Sequence, residues 1–208
     1  MPTHGHDERG LGESGGRAST ILDYRAIIRR LHAEHGDFSA VVAHSFGVLA
    51  TFSMLRDGVR ADRVVGIGGV ADFDYLLDRF CARLSLGGSV GRALRIHVER
   101  RLFPGEPDIR HRLDAARRSA DMRAPILLVH DADDDVAALS RSRAIADAYG
   151  PQVRLIETAG LGHRRILADP EVMAKAVEFA MSEAGSEPDL DSDSDSESTS
   201  ASASARRE

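Results

Sequence analysis

The chain has 208 residues, of which 42% are hydrophobic and 29% are charged, as is typical of one soluble globular domain. No stretch approaches the ~18 consecutive apolar residues of a membrane span, so we expect no membrane partner. The formal net charge of −6 comes mainly from residues 186–208, which carry seven acidic and two basic residues and leave a nearly neutral body. Because no basic arm or stripe is present, nucleic-acid binding is not expected.

Residues 1–19 are polar and rich in glycine, with no apolar period, and are predicted to form a flexible segment. They lack the basic start and apolar core of a secretory signal, so a cytoplasmic location is predicted. Cys81 is the only cysteine, which excludes an internal disulfide and any cysteine-rich zinc site. We expect it to be a small buried residue.

A domain is predicted over residues 20–184, and its first half alternates helices with short apolar runs. Apolar spacing predicts a helix over 21–35, a strand over 40–43, a helix over 46–56 and a strand over 64–67.

The pattern changes over residues 72–122, which contain helical stretches interrupted by Gly87-Gly88, Pro104 and Pro107. Because this segment lies between two strands and holds none itself, it is predicted to be a helical cap. Its arginines are interpreted as solvated faces of the cap or, alternatively, as a means of selecting an anionic substrate: Arg92, Arg95, Arg100, Arg101, Arg110, Arg112, Arg117 and Arg118.

The strongest strand is predicted over 124–130, followed by a helix over 139–149, a strand over 153–157 and a helix over 170–184. Alternating strands and helices predict an α/β fold, a mainly parallel sheet flanked by helices. The Ser-rich acidic tail, residues 185–208, is predicted to be disordered. It is interpreted as a solubilising tail or, alternatively, as an interaction tail regulated by phosphorylation.

Ser45 lies between the first predicted strand and the helix that follows it. The sequence Ala43-His44-Ser45-Phe46-Gly47 matches the strand-to-helix turn GxSxG that displays a nucleophilic serine, with alanine in place of one glycine. Serine is also a favoured helix N-cap, so the pattern leaves two interpretations open at this position.

Two other strand ends carry polar residues that suit catalysis. His130-Asp131-Ala132-Asp133-Asp134-Asp135 follows the third strand, and Ala159-Gly160-Leu161-Gly162-His163 follows the fourth. Because carboxyl ends of parallel strands share one edge of a sheet, these residues are expected to lie near Ser45. The chain order Ser, Asp, His is that of one particular hydrolase architecture.

At these positions the chain resembles the α/β hydrolase superfamily. VHDADDDVAA stands where members carry VHGxxDxxVP, which places the family's acid on Asp134, and Gly162-His163 matches the family's Gly-His pair. Pro2-Thr3-His4-Gly5 resembles the PxHG segment after the family's fourth strand. The resemblance implies a serine hydrolase of a small carboxylic ester or related acyl substrate, with no cofactor and no metal. Its site residues would be Ser45 as nucleophile, Asp134 as acid, His163 as general base and the Phe46 backbone N–H as oxyanion donor.

The resemblance also implies a partial fold. The family's second oxyanion donor comes from a His-Gly loop after an early strand, and this sequence is expected to lack that loop and the first strands. The strand before Ser45 would then lie at the edge of the sheet, where it could support self-association. Weak activity is expected, and the alternative is a catalytically weak or inactive chain that acts as a binding module.

Other residues have competing interpretations. Asp72 is a substitute acid or, preferably, a helix N-cap, and Asp134 and His163 could be a turn carboxylate and a loop histidine without a catalytic role. His44 and His130 are interpreted as structural. Two further motifs are weak: Asp131, Asp133 and Asp135 alternate as in a calcium loop, and Gly66-Ile67-Gly68-Gly69-Val70-Ala71 fits a dinucleotide fingerprint.

Overall fold

The computed structural model describes residues 20–106, 108–117 and 122–182. The predictions for the segment 1–19, for Pro2-Thr3-His4-Gly5 and for the tail 185–208 lie outside these residues.

Within the described ranges, four parallel strands form one sheet: β1 Val41–His44, β2 Val64–Ile67, β3 Ile126–Asp131 and β4 Val153–Thr158. Each begins and ends within two residues of its predicted bounds. The helices are α1 Ile21–His35, α2 Phe46–Arg56, α3 Phe73–Arg83, α4 Gly88–Leu102, α5 Ile109–Arg112, α6 Ser140–Tyr149, α7 Gly162–Arg165 and α8 Pro170–Met181. The α/β fold with a mainly parallel sheet flanked by helices is therefore confirmed.

The strands lie in the order β1-β2-β3-β4, with Val41 opposite Val64, Val64 opposite Ile126, and Ile126 opposite Val153. Both faces of the two central strands are buried, which explains their continuous apolar sequences. Val64, Ile126 and Leu128 pack with α1, α2 and α6 on one face. On the other face α8 covers the alternate strand residues, Val65, Ile67, Leu127 and Val129.

Between β2 and β3 the described residues form three helices, α3 to α5, in the segment predicted to be the cap. Asp72 is the N-cap of α3 and its side chain accepts a hydrogen bond from the Tyr75 amide at 2.6 Å, which confirms that interpretation. Cys81 is buried, as predicted. In the part of the chain that the structure describes, no helix is both long and apolar enough to cross a membrane.

Candidate active site

Ser45 occupies the sharp turn between β1 and α2. Its backbone has φ 56° and ψ −121°, a conformation that non-glycine residues rarely adopt. Ser45 holds the N-cap position of α2, but its hydroxyl makes no capping hydrogen bond. The strained backbone keeps the hydroxyl off the helix amides, so the hydroxyl is displayed as a nucleophilic serine must be.

The hydroxyl belongs to a chain of hydrogen bonds across three strand ends. Ser45 Oγ lies 2.9 Å from His163 Nε2, and His163 Nδ1 lies 2.7 Å from Asp134 Oδ2. A carboxylate can only accept, so His163 Nδ1 carries the proton and Nε2 is free to accept the proton of Ser45. The structure thus brings together the three side chains that the sequence singled out.

Asp134 is held firmly behind His163. Its Oδ1 accepts hydrogen bonds from the Val136 and Ala137 amides, both at 2.8 Å, and its side chain is only 1% exposed. His130 Nε2 lies 3.4 Å from Asp134 Oδ2 while donating to the Ala137 carbonyl at 2.8 Å. This carboxylate is therefore not a solvated turn residue.

His163 lies in the short helix α7, whereas the sequence indicated a loop. Gly160 and Gly162, with φ of 81° and 66°, turn the chain into that helix in conformations that disfavour other residues. Four residues are too few to show a helical period, so the sequence carried no signal for this helix.

His44, which precedes Ser45, contacts His163 twice. Its Nε2–H donates to the His163 carbonyl at 2.9 Å, and the two rings lie 4.7 Å apart between centroids. Burial lowers the pKa of His44 below its ordinary value. The hydrogen bond to His163 and the charge of Asp134 raise this pKa, but by less than burial lowers it. A neutral His44 therefore fixes the backbone of the candidate base.

The predicted oxyanion donor, Phe46, is the first residue of α2. The first N–H groups of a helix have no intrahelical acceptor, so this amide is outside the helical ladder, and it follows Ser45 directly in the chain. Its role as a donor stays a prediction.

Gly66, within β2, and Gly68, just after it, belong to the glycine-rich motif, and packing explains both glycines. A Cβ at Gly68 would lie 3.4 Å from Asp134 Oδ2 and from His163 Nδ1, so glycine leaves room for the His163–Asp134 pair. A Cβ at Gly66 would lie 2.8 Å from a methyl of Leu128. These contacts account for the glycines without a nucleotide.

Asp131 was not among the predicted site residues and entered only as part of a weak calcium-loop motif. Asp131 is fully buried and accepts four hydrogen bonds, including those from the Leu161 and Gly162 amides. Burial disfavours its charge, but the four donors outweigh this and lower the pKa of the carboxyl. A charged residue at the end of a continuous apolar strand was the available signal.

In the described ranges no cluster of three or more His, Cys, Asp or Glu side chains is placed to hold a metal ion. A cavity of about 600 Å³ opens elsewhere, at the amino ends of the strands, among residues that include Arg56, Arg60 and Arg123. The cavity therefore lies at the opposite end of the strands from Ser45, which follows the carboxyl end of β1.

The chain was compared with protein-family models and with curated protein sequences, and neither gave a match. Solved structures do match. Mouse alpha/beta hydrolase domain-containing protein 10 is 18% identical with a TM-score of 0.60, over 82% of this chain and 72% of that one. A monoacylglycerol lipase of Paleococcus ferrophilus is 16% identical with a TM-score of 0.58, over 84% and 81%. An esterase of Pyrococcus furiosus is 21% identical with a TM-score of 0.55, over 83% and 67%.

At these identities the likeness shows the fold. The described residues supply four parallel strands with helices on both faces and a helical segment between the second and third strands. The described residues therefore have a partial α/β hydrolase fold and are similar in structure to the α/β hydrolases.

Proposed function

We propose that this protein is a serine hydrolase that cleaves a small carboxylic ester or a related acyl compound. The observation that carries the proposal is the continuous hydrogen-bond chain from Ser45 through His163 to Asp134, built on a strained serine turn. A serine that served only as an N-cap would bond to the helix amides, and Ser45 does not.

In the first half of the reaction, Ser45 Oγ attacks the acyl carbonyl carbon while its proton passes to His163 Nε2. The carbonyl oxygen becomes an oxyanion, and the Phe46 N–H donates a hydrogen bond to it. When the tetrahedral intermediate collapses, the bond to the alkoxide breaks and the leaving alkoxide takes the proton from Nε2. An acyl-enzyme and a free alcohol result.

In the second half, water attacks the acyl-enzyme and His163 Nε2 accepts its proton. Collapse of this intermediate breaks the bond to Ser45 Oγ, which recovers a proton from Nε2, and the carboxylic acid leaves. Asp134 stabilises the imidazolium that forms in both halves and holds Nδ1 protonated throughout. No step requires a cofactor.

The substrate class is supported by the names of structural neighbours, which include an esterase and a monoacylglycerol lipase. Another neighbour, a meta-cleavage product hydrolase of Pseudomonas fluorescens, has 19% identity and a TM-score of 0.52. Ester cleavage, which the names esterase and lipase describe, is the reaction that we carry over to this chain.

The test is hydrolysis of a p-nitrophenyl ester series from acetate to octanoate. The wild-type protein should release p-nitrophenol above the buffer rate, and Ser45→Ala should fall to the buffer rate because the nucleophile is gone. Ser39→Ala is the matched control, since Ser39 is exposed near the amino end of β1. Equal turnover by wild type and Ser45→Ala would remove the nucleophile assignment.

A second candidate function, a binding module, is favoured by the edge of the sheet. Among the described residues β1 pairs only with β2, and Val42 on this strand is 58% exposed. A short apolar edge strand with free backbone groups is a template for pairing with another chain, and a second copy carries the same edge.

Sedimentation velocity over a range of concentrations tests this candidate. Self-association through β1 predicts that Val42→Lys shifts the protein toward monomer, because a charge on an edge strand opposes pairing. Val177→Lys is the control, since Val177 on α8 is equally exposed and lies outside β1. A wild-type protein that is monomeric at every concentration would contradict this candidate.

A further inference from the structure

Three consecutive backbone amides, two just before α7 and one at its first residue, donate hydrogen bonds to carboxylates. These carboxylates lie at the end of β3 and just after it. The Gly160 N–H donates to Asp133 Oδ2 at 2.8 Å, the Leu161 N–H to Asp131 Oδ2 at 3.1 Å, and the Gly162 N–H to Asp131 Oδ1 at 2.8 Å. The segment that leads into the His163 helix is therefore attached directly to the strand that leads to Asp134.

Asp131 makes most of this attachment. Besides the two amides, its Oδ1 accepts from the Asp133 N–H at 3.0 Å and its Oδ2 accepts from the Thr158 hydroxyl at 2.7 Å. The side chain has no exposed surface, so no water competes with these donors. A buried carboxylate with four donors is fully satisfied and fixes the position of all four.

We propose that Asp131 is a positioning residue that holds the His163 imidazole between Ser45 and Asp134. This inference rests on the proposed function, because it assigns a role in that same site. Gly162, whose amide donates to Asp131, is bonded to His163, and Asp131 lies three residues before Asp134 at the same strand end. One rigid segment thus fixes both the backbone of the base and the carboxylate that it contacts.

The sequence around His163 needs such support. Ala159-Gly160-Leu161-Gly162 contains two glycines with positive φ, and glycine has many alternative conformations. The hydrogen bond from His44 Nε2 to the His163 carbonyl holds only the backbone after the imidazole. Before the imidazole, the exposed Arg165 side chain donates to the Gly160 and Leu161 carbonyls at 2.8 and 2.9 Å, whereas the partner of the Leu161 and Gly162 amides is the buried Asp131. Asp131 restricts these residues.

Asp131 also marks a departure from the motif of the resemblance. VHGxxDxxVP has glycine after Val-His, and this chain has Asp131. A glycine cannot accept hydrogen bonds through a side chain, so holding α7 by a buried carboxylate is a property of this chain's own sequence.

The experiment compares Asp131→Asn with Asp135→Asn, using p-nitrophenyl acetate as the probe. Asparagine retains the shape of the side chain, but its amide nitrogen cannot accept, which leaves the Leu161 or the Gly162 amide without its partner. We expect kcat to fall about 10- to 100-fold, as for a misplaced catalytic group, and KM to stay within about twofold. Asp135 is exposed, and its replacement should leave both constants unchanged.

A second measurement separates this proposal from the proposed function. The proton on His163 Nδ1 should give a low-field ¹H NMR signal in the wild-type protein, because it is held against Asp134 at 2.7 Å. In Asp131→Asn this signal should broaden or vanish, and in Asp135→Asn it should persist. If the wild-type protein hydrolyses no ester, the proposed function fails and the NMR signal alone decides the role of Asp131.

The result that overturns the proposal is a folded Asp131→Asn with wild-type kcat and an unchanged Nδ1 signal. If Asp131→Asn does not fold, Thr158→Val decides, since it removes one donor to Asp131 and leaves the carboxylate in place. A few-fold loss of kcat or broadening of the signal in Thr158→Val supports the role. A Thr158→Val protein with wild-type kcat and an unchanged Nδ1 signal would contradict the role of Asp131.

Discussion

Ser45 holds a backbone conformation that costs on the order of 1–3 kcal/mol for a residue other than glycine. The surrounding structure imposes it: the Ser45 amide donates to the Ile67 carbonyl at 2.9 Å, and the Ser45 carbonyl accepts from Val48 and Val70. Strain of this kind persists where it serves a function. At Ser45 it presents the hydroxyl to His163.

Replacing Asp134 by asparagine tests the orientation of His163. The Val136 and Ala137 amides would keep the asparagine oxygen on their side, so its NH₂ group would face His163 Nδ1. His163 would then carry its proton on Nε2, where it cannot accept the proton of Ser45. We expect kcat for p-nitrophenyl acetate to fall about 10⁴-fold, as when a triad acid is replaced by its amide.

Asp135→Asn is the control for this substitution, since Asp135 is exposed and lies next to Asp134 in the sequence. An Asp134→Asn protein with more than about a tenth of wild-type kcat would show that Asp134 does not set the tautomer of His163.

His44 predicts a pH dependence of stability. Burial lowers the pKa of His44 in the folded protein below its ordinary value of 6.5. Below pH 6.5 the unfolded chain therefore binds a proton at His44 more readily than the folded protein does. The contribution of neutral His44 to the free energy of unfolding is fully present above about pH 6.5, and it is lost as the pH falls toward the pKa of His44 in the folded protein. Urea unfolding at pH 8, 6 and 5 should show that His44→Gln loses less stability on acidification than wild type. Parallel curves for the two proteins would contradict this account.

Among the elements, the four strands and the longer helices could be predicted from the sequence because each has a clear apolar period or run. The continuous run of β3 indicated burial on both faces, and the alternation of strands and helices indicated a parallel sheet. Helix α7 could not be predicted, because its start is positioned by hydrogen bonds that the Gly160 and Gly162 amides donate to Asp133 and Asp131, some thirty residues earlier. Long-range contacts of this kind leave no local pattern.

The packing of β2, β3 and α2 around Gly66 predicts the effect of replacing this glycine. In Gly66→Ala the new Cβ would lie 2.8 Å from Leu128 Cδ2 and 3.3 Å from Val48 Cγ1, and both side chains are fully buried. Overpacking of this kind should lower the free energy of unfolding by about 1–3 kcal/mol in urea titration.

Gly47→Ala is the matched control, because a Cβ there meets only Ala43 at an ordinary 3.7 Å and Gly47 lies in helix α2. That variant should be as stable as wild type or more stable by about 0.5–1 kcal/mol. Equal losses in Gly66→Ala and Gly47→Ala would show that packing under α2 is not the cause.

For the whole molecule, the sheet explains why residues distant in sequence form one site. Parallel strands end at one edge, so Ser45, the Asp131–Asp134 segment and His163 converge although 118 residues separate Ser45 from His163. The order of Ser, Asp and His could be read from the sequence. The substrate could not, since the same fold supports many chemistries.

The most direct measurement is labelling of the purified protein with a fluorophosphonate probe, followed by intact mass and peptide mapping. A serine activated by His163 displaces the fluoride and forms a covalent phosphonate ester, whereas an ordinary serine hydroxyl does not react. Our account predicts one adduct on wild type, located on Ser45, retained in Ser39→Ala and absent from Ser45→Ala. A folded wild-type protein that takes up no probe, or takes it up at another residue, would contradict the account.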